Sequence, residues 1–207
     1  LYAGGFYVPV DPQVPADRLA RIAGALGNPL IVADGDRAAA AAAALPAEGD
    51  LLAAADVLEA PLDEAALVAS RRGLTDSDPA YALFTSGSTG TPKGVAVSHR
   101  AITDFIGDFA RLFGFRGDDR IANQAPFDFD VSVKDIYGAL ASGCTLVVVP
   151  RPLFSQPAAL VDYLEEQRVT VMTWAVAALC LITSLHGLDG KTLSAVRRVL
   201  FSGEVMP

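Results

Sequence analysis

The sequence predicts an α/β fold of mostly parallel sheets flanked by helices, and three observations carry that prediction. Short β-branched apolar runs alternate with longer segments of helical periodicity along most of the chain. Thr145–Val149 is an unbroken apolar run between Gly143 and Pro150, as in a strand covered on both faces. With 52% hydrophobic and 19% charged residues in 207, the chain is also too apolar for disorder and rich enough to bury a sheet.

The elements run in this order. Pro15–Leu26 has helical spacing with Asp17 near its start, and Gly27-Asn28-Pro29 stops it. Leu30–Ala33 reads as a short strand. Ala38–Ala44 is a run of seven alanines, helical by propensity alone. Pro46–Asp78 is acidic and reads as a mix of helix and loop. Ala80–Phe84 and Gly94–Ser98 read as strands around a glycine-rich loop. Arg100–Phe113 is helical, Arg120–Asn123 a strand and Ser132–Leu140 a helix. After the Thr145 strand come a helix over Ala158–Gln167, a strand from Val169, a helix from Val176 and a last strand at Arg198–Phe201. Residues 1–78 and 79–207 form the two expected portions, the second holding the glycine-rich loop and all later elements.

A formal net charge of −8 excludes a nucleic-acid binder held by a basic face and disfavours attachment to anionic lipid. Cys144 and Cys180 stand alone in apolar sequence, with neither metal spacing nor a disulfide framework. They predict buried, inert thiols in a reducing cytoplasm. Val169–Leu188 lacks Asp, Glu, Lys and Arg over a span of bilayer length, about 20 residues. Thr170, Thr173, Thr183, Ser184 and His186 interrupt it, however, and its start reads as a strand, so no membrane span is expected.

The densest signal is Thr85–Gly94, TSGSTGTPKG. Gly87, Gly90 and Gly94 let the backbone turn and approach an anion without a Cβ in the way. Thr85, Ser86, Ser88, Thr89 and Thr91 offer five hydroxyls in seven positions, and Lys93 adds a positive charge. Backbone N–H groups in such a turn form an anion-binding concavity, so the pattern fits a clamp on a nucleotide polyphosphate. It is not a Walker A motif, because Lys93 follows Pro92 and precedes Gly94.

Tyr81–Gly94 resembles the phosphate-loop signature of the adenylate-forming enzymes, which include nonribosomal peptide synthetase adenylation domains, D-alanine–carrier protein ligases, acyl-CoA synthetases and luciferases. Leu1–Pro12 (LYAGGFYVPVDP) resembles the early segment of amino-acid-activating members. Phe129-Asp130-Val131-Ser132 is similar to their Phe-Asp-x-Ser segment, and Phe201–Glu204 to a later Gly-Glu turn. Phe201–Pro207, with Phe129–Ser132 and the adjacent Val133–Tyr137, resembles the D-alanine–carrier protein ligase subgroup. The resemblance implies the N-terminal core of such an enzyme, using ATP with phosphate-bound Mg²⁺. In it Thr85, Ser86, Gly87, Ser88, Thr89, Gly90 and Lys93 would hold the phosphates.

From the residues alone, Asp130 reads equally as a helix cap. The resemblance gives it the α-ammonium of an amino-acid substrate, and places Val131, Lys134, Thr173, Leu200, Ser202 and Gly203 around the substrate side chain. Lys134 reads from sequence as either a solvated helix lysine or, turned inward, a group favouring an acidic or polar substrate. Trp174 reads as core or as a substrate neighbour. Asp128 and His99 read as structural, and His186 as a partner of a helix C-terminus. Ala175-Val176-Ala177 lacks the proline usual in the family at that place.

The implied activity is amino-acid adenylation, then thioester transfer to the phosphopantetheine arm of a carrier protein, in company with other synthetase domains of a nonribosomal, antibiotic-making assembly. No protein metal site, nucleic-acid partner or membrane partner is expected. The adenine-stacking Tyr-Gly-Pro-Thr-Glu segment and the catalytic lysine of the family are not in these 207 residues. The polypeptide is therefore expected to hold no catalytic residue and to be inactive alone. The alternatives are an acyl-CoA synthetase-like ligase and a non-catalytic swapped subdomain.

Overall fold

Parallel strands need long crossovers, and the chain supplies them as helices between short apolar strands. A computed structural model of the protein describes residues 1–27, 29–35, 37–44, 50–85 and 92–207. By internal contacts the chain divides into two units, Leu1–Ala101 and Ile102–Pro207.

In the first unit α1 (Ala16–Leu26) starts behind Pro15 and buries Ile22 and Ala23. β1 (Leu30–Ala33) pairs in parallel with β2 (Asp50–Ala53), and α2 (Arg37–Ala44) connects them. β2 lies in the stretch that reads from sequence as helix and loop. Its four residues are too few to show a period of two, and pairing with β1 makes it a strand. α3 (Ala54–Glu59) and α4 (Glu64–Arg71) come next. Asp63 caps α4, accepting from the Ala66 N–H at 2.9 Å. β3 (Pro79–Thr85) and β4 (Lys93–Ser98) form an antiparallel pair, the exception among otherwise parallel strands. Tyr7 lies along β3. Its N–H donates to the Ala80 carbonyl at 3.2 Å, and its own carbonyl accepts from Ala82 at 3.0 Å. These bonds hold β3 to the first residues of the chain, and the Asp78 carbonyl before β3 accepts from the His99 N–H after β4.

The division falls in the first turn of α5 (His99–Leu112). The second unit is a four-stranded parallel sheet in the order β6-β5-β7-β8, made of β5 (Arg120–Asn123), β6 (Thr145–Val148), β7 (Val171–Ala175) and β8 (Arg198–Ser202). α6 (Ser132–Ser142) carries the chain from β5 to β6. A 3-10 turn (Arg151–Ser155) and α7 (Pro157–Glu166) carry it to β7, and α8 (Val176–Ser184) leads toward β8. α6 stops at Gly143, whose φ of +66° suits a residue without Cβ. The main core joins Ala122, Leu160, Val161, Leu164, Met172, Trp174 and Ile182. Trp174 is 0% exposed, and its indole N–H donates to the Ala122 carbonyl at 2.9 Å, so it is core.

β6 does not match the expectation of a strand covered on both faces. It is an edge strand, with Thr145 and Val148 exposed and only Val147 buried. Both faces of the run are nevertheless partly covered, Val147 and Val149 by the core that includes Leu160 and Leu164, and Leu146 by the cluster that includes Ala139. β8 is the other edge, and Val199 and Phe201 stand exposed on it. Cys144 and Cys180 are free but half-buried rather than buried. Burial, with the Asp119 charge nearby, pushes the Cys144 thiol above its ordinary value, which keeps it protonated and unreactive. Among the described residues no helix is long and apolar enough to cross a membrane.

Asp119 ties the lower ends of all four strands together. It immediately precedes β5, and its carbonyl accepts from the N–H of Thr145 at the start of β6 at 2.9 Å. Its carboxylate, 1% exposed, accepts from the Thr170 hydroxyl before β7 at 2.7 Å and from the Arg197 Nε before β8 at 2.8 Å. The Arg116 N–H adds a fourth bond at 2.7 Å. Burial pushes this carboxyl up, but the Arg197 and Thr170 bonds outweigh it and hold the group below the ordinary carboxylate range.

A depressed carboxyl contributes stability above its unfolded pKa and loses it as pH falls through the folded one. Asp119→Ala leaves the half-buried Arg197 without its partner and is expected to cost about 3–5 kcal/mol in urea unfolding at pH 7. Asp119→Asn is expected to flatten the loss of stability below about pH 4 seen in the unaltered protein.

Candidate functional site

The upper ends of the strands frame the site. β5 feeds β6 on one side while β7 feeds β8 on the other, so the direction of winding reverses between β5 and β7. Ligands of open α/β sheets bind outside the carboxyl ends of strands at such a reversal. Here an open groove of about 310 Å³ is lined by Phe105, Phe109, Asp130, Val131, Lys134 and Ser202.

The local sequence explains how these side chains meet. Past β5 the chain turns through Pro126–Phe129, where the Phe129 N–H donates to the Pro126 carbonyl at 3.0 Å. Ser132, Val133 and Asp135 are buried and fix the first turn of α6 against the unit. Asp130 does not cap that helix. Val131 holds the capping position, and no side chain makes the capping bond. Asp130 lies in the turn before α6 and Lys134 in its first turn, and both line the groove. The opposite wall comes from α5, where Phe105 and Phe109 stack at 5.4 Å between ring centres. Phe109 is braced in turn by Phe113 at 4.7 Å and Phe115 at 5.6 Å.

Of the residues that the sequence places around a substrate side chain, Asp130, Val131, Lys134 and Ser202 meet on this groove. Thr173 and Leu200 do not line it. They face each other across β7 and β8, two pairs deeper than Ala175 and Ser202. Thr173 is buried, and its hydroxyl donates to Asp135. Gly203 is exposed just past β8. Asp128 is half-buried and off the groove wall. The His186 Nδ1 lies 3.2 Å from an Asp189 carboxylate oxygen beyond the end of α8, an exposed pair at the surface.

Two features went unread in the sequence. Phe105 and Phe109 complete the groove, and their four-residue spacing, continued by Phe113, was the available signal. Asp135 lies beneath it, 0% exposed, accepting from Asn123 Nδ2 at 3.0 Å and from Thr173. Burial pushes the Asp135 carboxyl up to about 6, against the Thr173 and Asn123 bonds and the Lys134 charge, which lower it. Nothing in the sequence separates it from a surface helix aspartate.

In the first unit, Thr85 and Lys93 are the closing pair of the β3–β4 hairpin. Ser86, Gly87, Ser88, Thr89 and Gly90 lie outside the described residues. Lys93 is exposed. At Gly94 an added Cβ would stand 3.0 Å from the Phe84 ring, so a side chain there requires that ring to shift by a few tenths of an ångström. Among the described residues no group of three or more His, Cys, Asp or Glu could hold a metal ion.

A parallel sheet with a carboxylate-bearing groove at its winding reversal defines an α/β protein with a ligand groove at the carboxyl ends of its strands. The chain belongs to the AMP-binding enzyme family, whose profile matches residues 1–207. It is 39% identical to syringomycin synthase SyrB1 of Pseudomonas syringae pv. syringae, covering 100% of this chain and 33% of that protein. It is 30% identical to a D-alanine–D-alanyl carrier protein ligase of Bacillus cytotoxicus, covering 99% of this chain and 40% of the relative. Among solved structures, the nonribosomal peptide synthetase FmoA3 bound to alpha-methyl-L-serine-AMP matches with a TM-score of 0.82 and 29% identity, over 100% of this chain and 22% of that one. The chain thus spans a third to two-fifths of the length of these curated relatives.

A carboxyl whose folded pKa is raised keeps its proton in the folded state while the unfolded chain loses its own. The Asp135 contribution therefore falls as pH rises from about 4 to 6, and stays constant above. In the full-length protein, Asp135→Asn is expected to gain in Tm relative to the unaltered protein across that window, with a constant difference at higher pH.

Proposed function

We propose that the chain is the early core of an enzyme that activates an amino acid with ATP and passes it to a carrier protein. In the first step a carboxylate oxygen of the amino acid bonds to the α-phosphorus, and the bond to the departing pyrophosphate breaks. The carrier's phosphopantetheine thiol then displaces AMP from the acyl carbon. The observation that carries this reading is Asp130, a carboxylate on the groove wall that does no capping work for the helix beside it. A carboxylate so placed matches a substrate ammonium, and charge-assisted hydrogen bonds are the strong ones.

The remaining roles are matters of chemistry. Residues 79–207 contribute both the phosphate loop and the pocket, and residues 1–78 the early portion of the core. Thr85, Ser86, Gly87, Ser88, Thr89, Gly90 and Lys93 hold the β- and γ-phosphates by backbone N–H groups, hydroxyls and one ammonium. Mg²⁺ arrives on the phosphate oxygens, because it keeps water and phosphate ligands in preference to an all-protein cage. Val131, Lys134 and Ser202 border the substrate side chain, with Thr173, Leu200 and Gly203 supporting them from below and beside. Catalysis at this step is chiefly positioning and charge neutralisation. The carrier protein and the other synthetase domains are the partners, and two free cysteines fit a reducing cytoplasm.

Amino-acid-dependent exchange of pyrophosphate into ATP by the full-length enzyme tests this reading. Asp130→Ala is expected to lower kcat/KM for the amino acid about 10- to 100-fold, the worth of one hydrogen bond to a charged group, with little change in KM for ATP. Lys93→Ala is expected to do the reverse, raising KM for ATP. Unaltered amino-acid activation by the Asp130 variant would remove the ammonium role and favour an acyl-CoA-forming relative.

A further inference from the structure

We infer that the groove selects an amino acid whose side chain ends in a carboxylate, and that Lys134 is the residue that reads this charge. The inference rests on the reading of Asp130 as the ammonium site and deepens it.

Asp130, in the turn before α6, and Lys134, in its first turn, both line the groove, yet among the described residues neither side chain has an ion-pair or hydrogen-bond partner. The pair is held open, with one anion and one cation on the same wall. The other charge close to Lys134 is Asp135, which is turned the opposite way. It is buried against the sheet and spends its oxygens on Asn123 and Thr173.

The surroundings sharpen the preference. Phe105, Phe109 and Val131 make much of the remaining wall aromatic or apolar. Lys134 is half-buried among them, and a substrate seated there would cover it further. An ammonium losing water against such a wall needs an anion to offset the cost. A zwitterionic amino acid with a neutral side chain offers Asp130 its ammonium but leaves Lys134 unpaired at the side-chain end. An acidic side chain pairs both charges at once. Ser202 contributes little bulk to the wall. Phe105 and Phe109 then pack the methylenes between the two charged ends.

The test is pyrophosphate exchange by the full-length enzyme with a panel pairing each acidic amino acid with its neutral isostere. The pairs are L-aspartate with L-asparagine and L-glutamate with L-glutamine, with L-alanine, L-leucine and L-lysine as outliers and a fatty and an aryl acid as non-amino-acid probes. One acidic member is expected to exceed its amide in kcat/KM by about 10-fold or more, as a charge-assisted bond requires. Lys134→Met is expected to erase that gap by weakening the acid alone, and Lys134→Arg to keep it. A wild-type enzyme that uses a neutral amino acid as well as any acidic one overturns the inference and leaves amino-acid activation standing. The wild-type ranking needs no variant, so misfolding of a mutant cannot hide that result. A gap that survives Lys134→Met overturns the role of Lys134. Exchange driven only by the fatty or aryl acid overturns the ammonium reading itself, and this inference with it.

Discussion

The Asp119 carboxylate is the constraint on which the second unit depends. A parallel sheet has no hairpins to set its register, so something else must align strands that the chain visits far apart. Here one buried anion holds Thr170 and Arg197, while its own backbone receives Thr145. All four strand beginnings are thereby brought to one level, and strands of four or five residues carry that alignment to their upper ends. The groove lies at those ends. Its geometry is set from below, by a group with no part in the chemistry.

The same separation of tasks appears along α6. Ser132, Val133 and Asp135 face inward and hold the helix to the sheet, while Asp130, Val131 and Lys134 face the groove. Asp135 binds the helix to β5 through Asn123 and to β7 through Thr173, so it fixes the direction in which Lys134 points. A buried carboxylate is a costly way to attach a helix, and an apolar residue of similar size would often hold as well. What it adds is direction, because two hydrogen bonds specify an orientation that apolar packing leaves looser.

The sequence made much of this legible, but unevenly. Helices with strong apolar periodicity, such as α1 and α5, came out within a residue or two of their bounds, because burial of one face is what makes them helices. β2 was illegible because its strand character comes from a partner twenty residues earlier. β6 showed its apolar content but not its place at an edge, which depends on the order of strands. In the site, Asp130 and Lys134 were visible as a motif and its neighbour. That Thr173 and Leu200 lie below the wall was not, since depth along a strand has no signature in residue type. Phe105 and Phe109 left a pattern, an aromatic every fourth residue, whose reading required knowing which helix face met the groove.

The distance along the chain between Asp119 and Arg197 carries a further consequence, for how the molecule comes into being. The two residues are 78 positions apart, and β5, the second strand from one edge, waits for β7 on one side and for the residues beyond it to complete the clamp. During synthesis, β5 and β6 emerge and pair long before the arginine that neutralises the carboxylate exists. Contacts that close loops of this length make folding slow, and leave the forming sheet with an open flank in the meantime. The nascent chain therefore passes through an interval in which a strand edge of its sheet stands unpaired, open to association with other chains.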